Sequence, residues 1–129
     1  MKKRKYIGAS NSSKMVAVIG NDRANHDTEH GFKRRWLVSN PVCGSQNIAM
    51  AFGCLPAGMT ATLHSHPYDT AIFIVAGGGI VQWGESGDRF TEFNSGDGIF
   101  IPAGVPHAPI NDRDVEMLYV VARPVGIED

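Results

Sequence analysis

The sequence predicts an all-β protein, a sandwich or barrel of short antiparallel strands, and three observations carry that expectation. Gly and Pro, fifteen and seven in the chain, punctuate residues 44 to 124 at intervals of roughly eight to twelve residues, the spacing of turns in small sandwiches and barrels. The segments between them are rich in Val, Ile, Phe and Thr, which suit a pleated, half-buried surface. Helical periodicity is missing: Arg23 to Lys33 is the one plausible helical stretch, and it has no apolar stripe and contains Gly31.

Taken in order, residues 1–14 have the composition of a solvated basic tail, and 15–129 form one domain. Met15 to Ile19 is a candidate first strand. Strands are expected at Arg35 to Val38, Ile48 to Cys54, Thr60 to His66, Ala71 to Ala76, Ile80 to Trp83, Arg89 to Phe93, Ile99 to Ile101 and Glu116 to Ala122. Gly77-Gly78-Gly79 lies between two apolar segments and reads as a tight hairpin, where positive φ favours glycine. Ala71 to Ala76 is apolar on both faces, with Ile72 and Ile74 inward and Phe73 and Val75 outward. A small barrel has no second layer to cover that outer face, so a homodimer is expected, with Met15 to Ile19 as a candidate interface strand.

At 129 residues there is room for one core and no separate cofactor domain. The charge is split along the chain: nine bases and three acids up to Arg35 give +6, and three bases and ten acids beyond it give −7, which sum to the net −1. Lys2-Lys3-Arg4-Lys5 is not interleaved with aromatics, so neither nucleic acid nor membrane is the expected partner. The longest wholly apolar run is the six residues from Ala71 to Ala76, far short of the roughly 20 a membrane helix needs. Two cysteines, Cys43 and Cys54, set no disulfide framework in a chain of this size, and a cytoplasmic protein with reduced thiols is expected.

Chemistry enters at Thr60-Ala61-Thr62-Leu63-His64-Ser65-His66. In an extended chain alternate residues share a face, and His64 and His66, about 6.6 Å apart at Cα, can converge on one ion at about 2.1 Å. Alone, such a pair is as readily structural. A second segment, Gly96 to Asn111, follows G-x5-P-x-G-x2-H-x3-N at all five fixed positions: Gly96, Pro102, Gly104, His107 and Asn111. With this chain's own residue usage, chance gives that match at roughly 10⁻⁶ per window and about 10⁻⁴ per chain.

With both segments in place the sequence resembles the cupin superfamily. Its first motif, G-x5-H-x-H-x3,4-E-x6-G, is matched by Gly58, His64, His66 and Gly77, and its second is the one just quoted. The resemblance implies a double-stranded β-helix, the cupin jelly-roll barrel, with one divalent transition metal held inside by His64, His66 and His107. It also implies that Pro102 and Gly104 shape the turn presenting His107, and that Asn111 ties down the following loop. One departure stands out: where the family places a ligand glutamate, this chain has Thr70. Asp69 is the nearest carboxylate, but a one-residue offset on a strand points it to the other face. Thr70 is therefore expected to face the metal without binding it tightly, and Asp69 stands as the reserve ligand.

Three neutral imidazoles leave a divalent charge uncompensated, so a small anionic chelating substrate is expected, with Fe favoured and Zn, Ni or Cu as the other metals that nitrogen ligation suits. Non-haem dioxygenase chemistry is the leading expectation. A redox-free cyclase, isomerase or lyase on a sugar or polyketide-like substrate is the alternative, with Asp69, Glu116 or Tyr119 as its base; a non-catalytic small-molecule-binding cupin is the third class. Met50, Phe52, Gln82, Trp83 and Tyr119 are candidates to line the pocket, and Cys54, sharing a face with Met50 and Phe52, to reach the interior. His26 and His30 lie outside the motifs in a polar stretch and are expected at the surface.

Overall fold

The structure, a computed structural model, describes residues 15–124; the expected basic tail, residues 1–14, lies outside the described residues. A single 3-10 turn (Asn21–Arg23) precedes strands β1 (Asn25–Glu29), β2 (Phe32–Val38), β3 (Ile48–Leu55), β4 (Thr70–Ala76), β5 (Gly78–Trp83), β6 (Arg89–Asn94), β7 (Gly98–Ile101), β8 (His107–Ile110) and β9 (Met117–Pro124), and one short α-helix, α1 (Asn40–Cys43), lies between β2 and β3. The strands form two antiparallel sheets, ordered β1-β2-β3-β9-β4-β7 and β6-β5-β8. Alternate residues of the larger sheet, among them Trp36, Ala51, Leu55, Ile74, Tyr119 and Val121, meet Val81 and Phe93 of the smaller one in a single core. Among the described residues no helix is long and apolar enough to cross a membrane.

Most expected strands are present, and the departures have physical reasons. Arg23 to Lys33 is not helical: β1 pairs with β2 through a two-residue turn at His30 and Gly31, both at positive φ, 54° and 95°, the backbone of a tight hairpin. Met15 to Ile19 forms no strand, and Met15, Val16 and Val18 are exposed. Thr60 to His66 is no continuous strand either; it touches β8 through two isolated bridges, Thr60 with Ile110 and His64 with His107. The facing segment explains this. Ala61 donates to the Pro109 carbonyl at 2.8 Å, but Pro109 has no N–H to return, so the ladder is interrupted.

The triple glycine is not a hairpin, since β4 and β5 belong to different sheets. Gly77, at φ 81°, carries the chain from one sheet to the other, and a Cβ on Gly79 would lie 2.2 Å from the Ile110 carbonyl oxygen. Helix α1 was not foreseen, although its signals are local: Ser39 caps it through Val42 N–H, Pro41 lies in its first turn, and Gly44 closes it in the left-handed conformation.

Asn111 ties down its loop as the motif implies. Its side chain is buried and donates to the carbonyls of Leu55 (3.0 Å), Pro56 (3.2 Å) and Val115 (2.9 Å), while its Oδ1 accepts from Arg113 N–H at 3.1 Å. Removing it strands buried carbonyls, so Asn111→Ala should cost about 3 kcal/mol, read as a lower urea midpoint; an unchanged midpoint would contradict this role.

The outward face of the larger sheet is apolar across several strands. Phe73 opposes Val120, Ala71 opposes Phe100 and Ala122, and Met50 opposes Ala122; Phe73, Val75 and Phe100 are 50%, 44% and 64% exposed. We propose that a second copy covers this face. Light scattering at micromolar concentration should give twice the 13.9 kDa chain mass, falling to the single mass in Phe73→Asp; a monomer in the unaltered chain would reject the dimer.

Candidate metal centre

Two main-chain hydrogen bonds, His64 N–H to His107 O at 3.1 Å and His107 N–H to His64 O at 2.8 Å, hold the two motifs side by side. His66 is fixed to the same turn by Gly104 N–H, which donates to its carbonyl at 2.7 Å. The three rings then converge, with centroids 4.7 Å (His64 and His66), 4.4 Å (His64 and His107) and 5.4 Å (His66 and His107) apart. Each offers a ring nitrogen, and these atoms lie within 4.8 Å of one another, near the roughly 3–4 Å span of nitrogens sharing one ion at about 2.1 Å.

The outer nitrogens decide which atoms face inward. His64 Nδ1 lies 2.5 Å from the Thr62 carbonyl and His107 Nδ1 lies 2.9 Å from that of Val105. A carbonyl can only accept, so both Nδ1 atoms carry the proton and both Nε2 atoms keep a lone pair, the form a metal takes. Burial lowers the His64 pKa from its ordinary 6.5 to about 4, helped by the neighbouring imidazoles, and lowers that of His107 for the same reason. His64 and His107 are thus neutral near pH 7.

This donor set fits a transition metal. Thr70 is buried on the inward side of β4, and its Oγ1 has no hydrogen-bond partner among the described residues, the position of a weak polar group awaiting something within. Asp69 does not join the histidines: it is exposed, and its Oδ1 accepts from Ala103 N–H at 2.9 Å, so it braces the turn before His107.

A cavity of about 500 Å³ opens beside His107, lined by Val81, Trp83, Phe93, Ile99, Ile101 and Val105, with the exposed Glu92 and Asp97. Trp83, a candidate pocket residue, lies on the wall of this cavity. Gln82 is half-buried and donates to the Gly87 carbonyl at 2.6 Å. Tyr119 is a core residue, edge-on to Phe32 at 5.2 Å, and it fits because position 53 is glycine, whose Cβ would lie 2.3 Å from its hydroxyl; burial pushes its pKa up. Met50, Phe52 and Cys54 alternate with the buried Ala49, Ala51, Gly53 and Leu55 and so face away from the core. Arg35 covers Phe52 at 4.6 Å, and Cys54 donates to Glu116 at 3.1 Å, its thiol pushed up to about 11 by burial first and Glu116 second.

His26 is exposed as expected, but His30 is not a bystander. Its ring stacks on His64 with centroids 3.8 Å apart and planes within 5°, and its Nε2 lies 3.2 Å from Glu29. Glu29 and Asp27 both meet Arg34, the latter through two bonds of 2.9 Å. One signal in the sequence could have found His30: His-Gly between two extended segments is a hairpin turn, and such a turn projects its first residue from the sheet end.

A β-sandwich with three imidazoles gathered from two spaced motifs defines the class. The chain matches the Cupin domain family over residues 51–122, more than half its length, and it belongs to that family. No curated protein sequence matches it. Solved structures that resemble it include the polyketide cyclase RemF from Streptomyces resistomycificus (TM-score 0.72, 18% identity, covering 85% of this chain and 80% of that one). KdgF from Halomonas sp. is similar (TM-score 0.66, 16% identity, covering 85% and 94%), as is a predicted oxalate decarboxylase from Thermotoga maritima (TM-score 0.65, 18% identity, covering 83% and 97%). Identities this low speak for the fold alone.

The buried histidines set a pH dependence for the metal-free chain. Unfolded imidazoles charge at their ordinary 6.5, whereas folded His64 stays neutral to about 4; between these values the unfolded state binds more protons, and stability falls as pH falls. The urea midpoint should drop across that window, and less so in His64→Gln. Equal slopes in the two proteins would contradict the assignment.

Proposed function

We propose that the chain is a mononuclear metal-dependent cupin enzyme acting on a small organic substrate that chelates through an anionic oxygen or sulfur. One observation carries this reading: three histidine ring nitrogens from two separate segments lie within 4.8 Å of one another, and one of the three rings, His107, lines a largely apolar cavity of about 500 Å³, within the size of small-molecule sites. His64, His66 and His107 would hold the ion, iron foremost and zinc, nickel or copper otherwise, which would supply Lewis acidity and, if iron, access to dioxygen. No carboxylate stands among the three, so substrate charge is the natural balance for the ion. Val81, Phe93, Ile99 and Trp83 receive the apolar body of the substrate and exclude water around it, which leaves its charged end toward His107.

Dioxygenase chemistry is the leading reading, because Val81, Phe93, Ile99 and Ile101 make the cavity wall mainly apolar, while its two carboxylates, Glu92 and Asp97, are exposed and Asp97 accepts from Asn94 N–H. A redox-free cyclase, isomerase or lyase is the second, and one specific observation favours it. The bases first named for it are engaged elsewhere, Asp69 with Ala103, Glu116 with Cys54 and Tyr119 in the core, but His30, braced by Glu29, stands against His64 and supplies an imidazole that can accept a substrate proton. The structural likeness to a polyketide cyclase agrees with that chemistry without deciding it.

Elemental analysis of protein purified without added metal should find one transition metal per chain, lost in His64→Ala, His66→Ala and His107→Ala. Oxygen uptake with a panel of β-diketones, thiols and catechols then supports the leading reading. Turnover of a panel member without oxygen uptake, abolished in His30→Gln, supports the second. A chain without metal would overturn both and leave a binding module.

A further inference from the structure

The three imidazoles are not supported alike. Behind His64 and His107 stand carbonyls, but behind His66 stands a hydroxyl: Tyr68 Oη lies 3.3 Å from His66 Nδ1, and the two rings stack with centroids 5.0 Å apart and planes within 15°. Tyr68 is itself held. Arg123 Nη1 donates to the Tyr68 oxygen at 2.8 Å, and its guanidinium lies over the Trp36 ring at 4.4 Å and the Tyr68 ring at 5.6 Å. Trp36 is anchored in turn, buried in the core and donating through Nε1 to Asp27 at 3.0 Å.

A hydroxyl leaves open what a carbonyl settles. If Tyr68 donated to Nδ1, the His66 proton would sit on Nε2 and face the other imidazoles, where it would block metal binding. A phenolic oxygen, however, has two acceptor positions. Arg123, which can only donate, occupies one, and the other is placed to receive His66 Nδ1–H. We propose that Tyr68, fixed by Arg123, is a positioning residue that holds His66 with its Nε2 lone pair turned inward and thereby sets the affinity of the site for metal. The inference rests on the metal-centre reading above and assigns to Tyr68 and Arg123 a part that neither motif contains.

The test has a metal-free arm and a metal arm. In the unaltered metal-free chain, ¹⁵N shifts should show His66 as the Nδ1–H tautomer, like His64 and His107; in Tyr68→Phe, His66 alone should move toward Nε2–H, with the melting curve little changed. Titration with Co²⁺ against a competing chelator should give one site in the unaltered chain and 10- to 100-fold weaker binding in Tyr68→Phe, the usual effect of losing a ligand's supporting partner. Arg123→Met should weaken binding in the same direction and shift the Co²⁺ visible band. If the unaltered chain takes up Co²⁺ and Tyr68→Phe matches it in affinity and tautomer, the role of Tyr68 is overturned while the metal centre stands. Failure of the unaltered chain to bind Co²⁺ overturns both. Should Tyr68→Phe lose its cooperative melt, Arg123→Met decides by the same two readouts.

Discussion

The site depends on one short stretch of main-chain pairing, the reciprocal hydrogen bonds between His64 and His107. These residues are 43 positions apart in the chain, and their segments meet at isolated bridges rather than along a full ladder, because the proline-rich facing segment has few N–H groups to give. Gly104 to His66 and Ala103 to Asp69 tie the same two loops together. The sheets behind them form a rigid frame whose rim is fastened where the ligands emerge, which keeps three rotatable side chains in convergent positions.

Much of this was legible in the residues. Alternation of apolar and polar positions marked most strands, and the fixed spacings of the two motifs named the three histidines that converge. The rest depended on contacts distant in sequence. Strand β1, Asn-His-Asp-Thr-Glu, looks like solvated surface until Arg34 and Trp36 appear opposite its acids. The parity of β3 was undecidable because both its faces are apolar; the smaller residues point inward because Tyr119 and Trp36 already fill the space, which sends Met50 and Phe52 outward. Thr60 to His66 has the alternation of a strand, but the partner that would complete the ladder carries Pro109.

Electrostatics at the centre follow from the same pairings. Glu29 lies beside His30 behind the site, and Asp27 and Glu29 are both bound to Arg34, so they compensate that cation rather than an ion held by the histidines. Thr70, in place of a glutamate, adds a dipole and no charge. His64 and His107 are kept neutral by burial first and by neighbouring imidazoles second, a state that welcomes a cation and disfavours a proton. Under the proposed function, affinity for an ion and preference for an anionic substrate would both follow from the threonine at position 70 and the desolvation of His64 and His107.

The β1–β2 hairpin attaches to an edge of the larger sheet and contributes none of the three converging ligands, yet it carries His30, Glu29 and Arg34 to the rear of the centre. The three converging histidines and the His30, Glu29 and Arg34 group behind them therefore come from separable pieces of chain. A lineage could exchange this flap and acquire new reactivity while its chelating apparatus stayed intact, an economical route by which one small barrel diversifies.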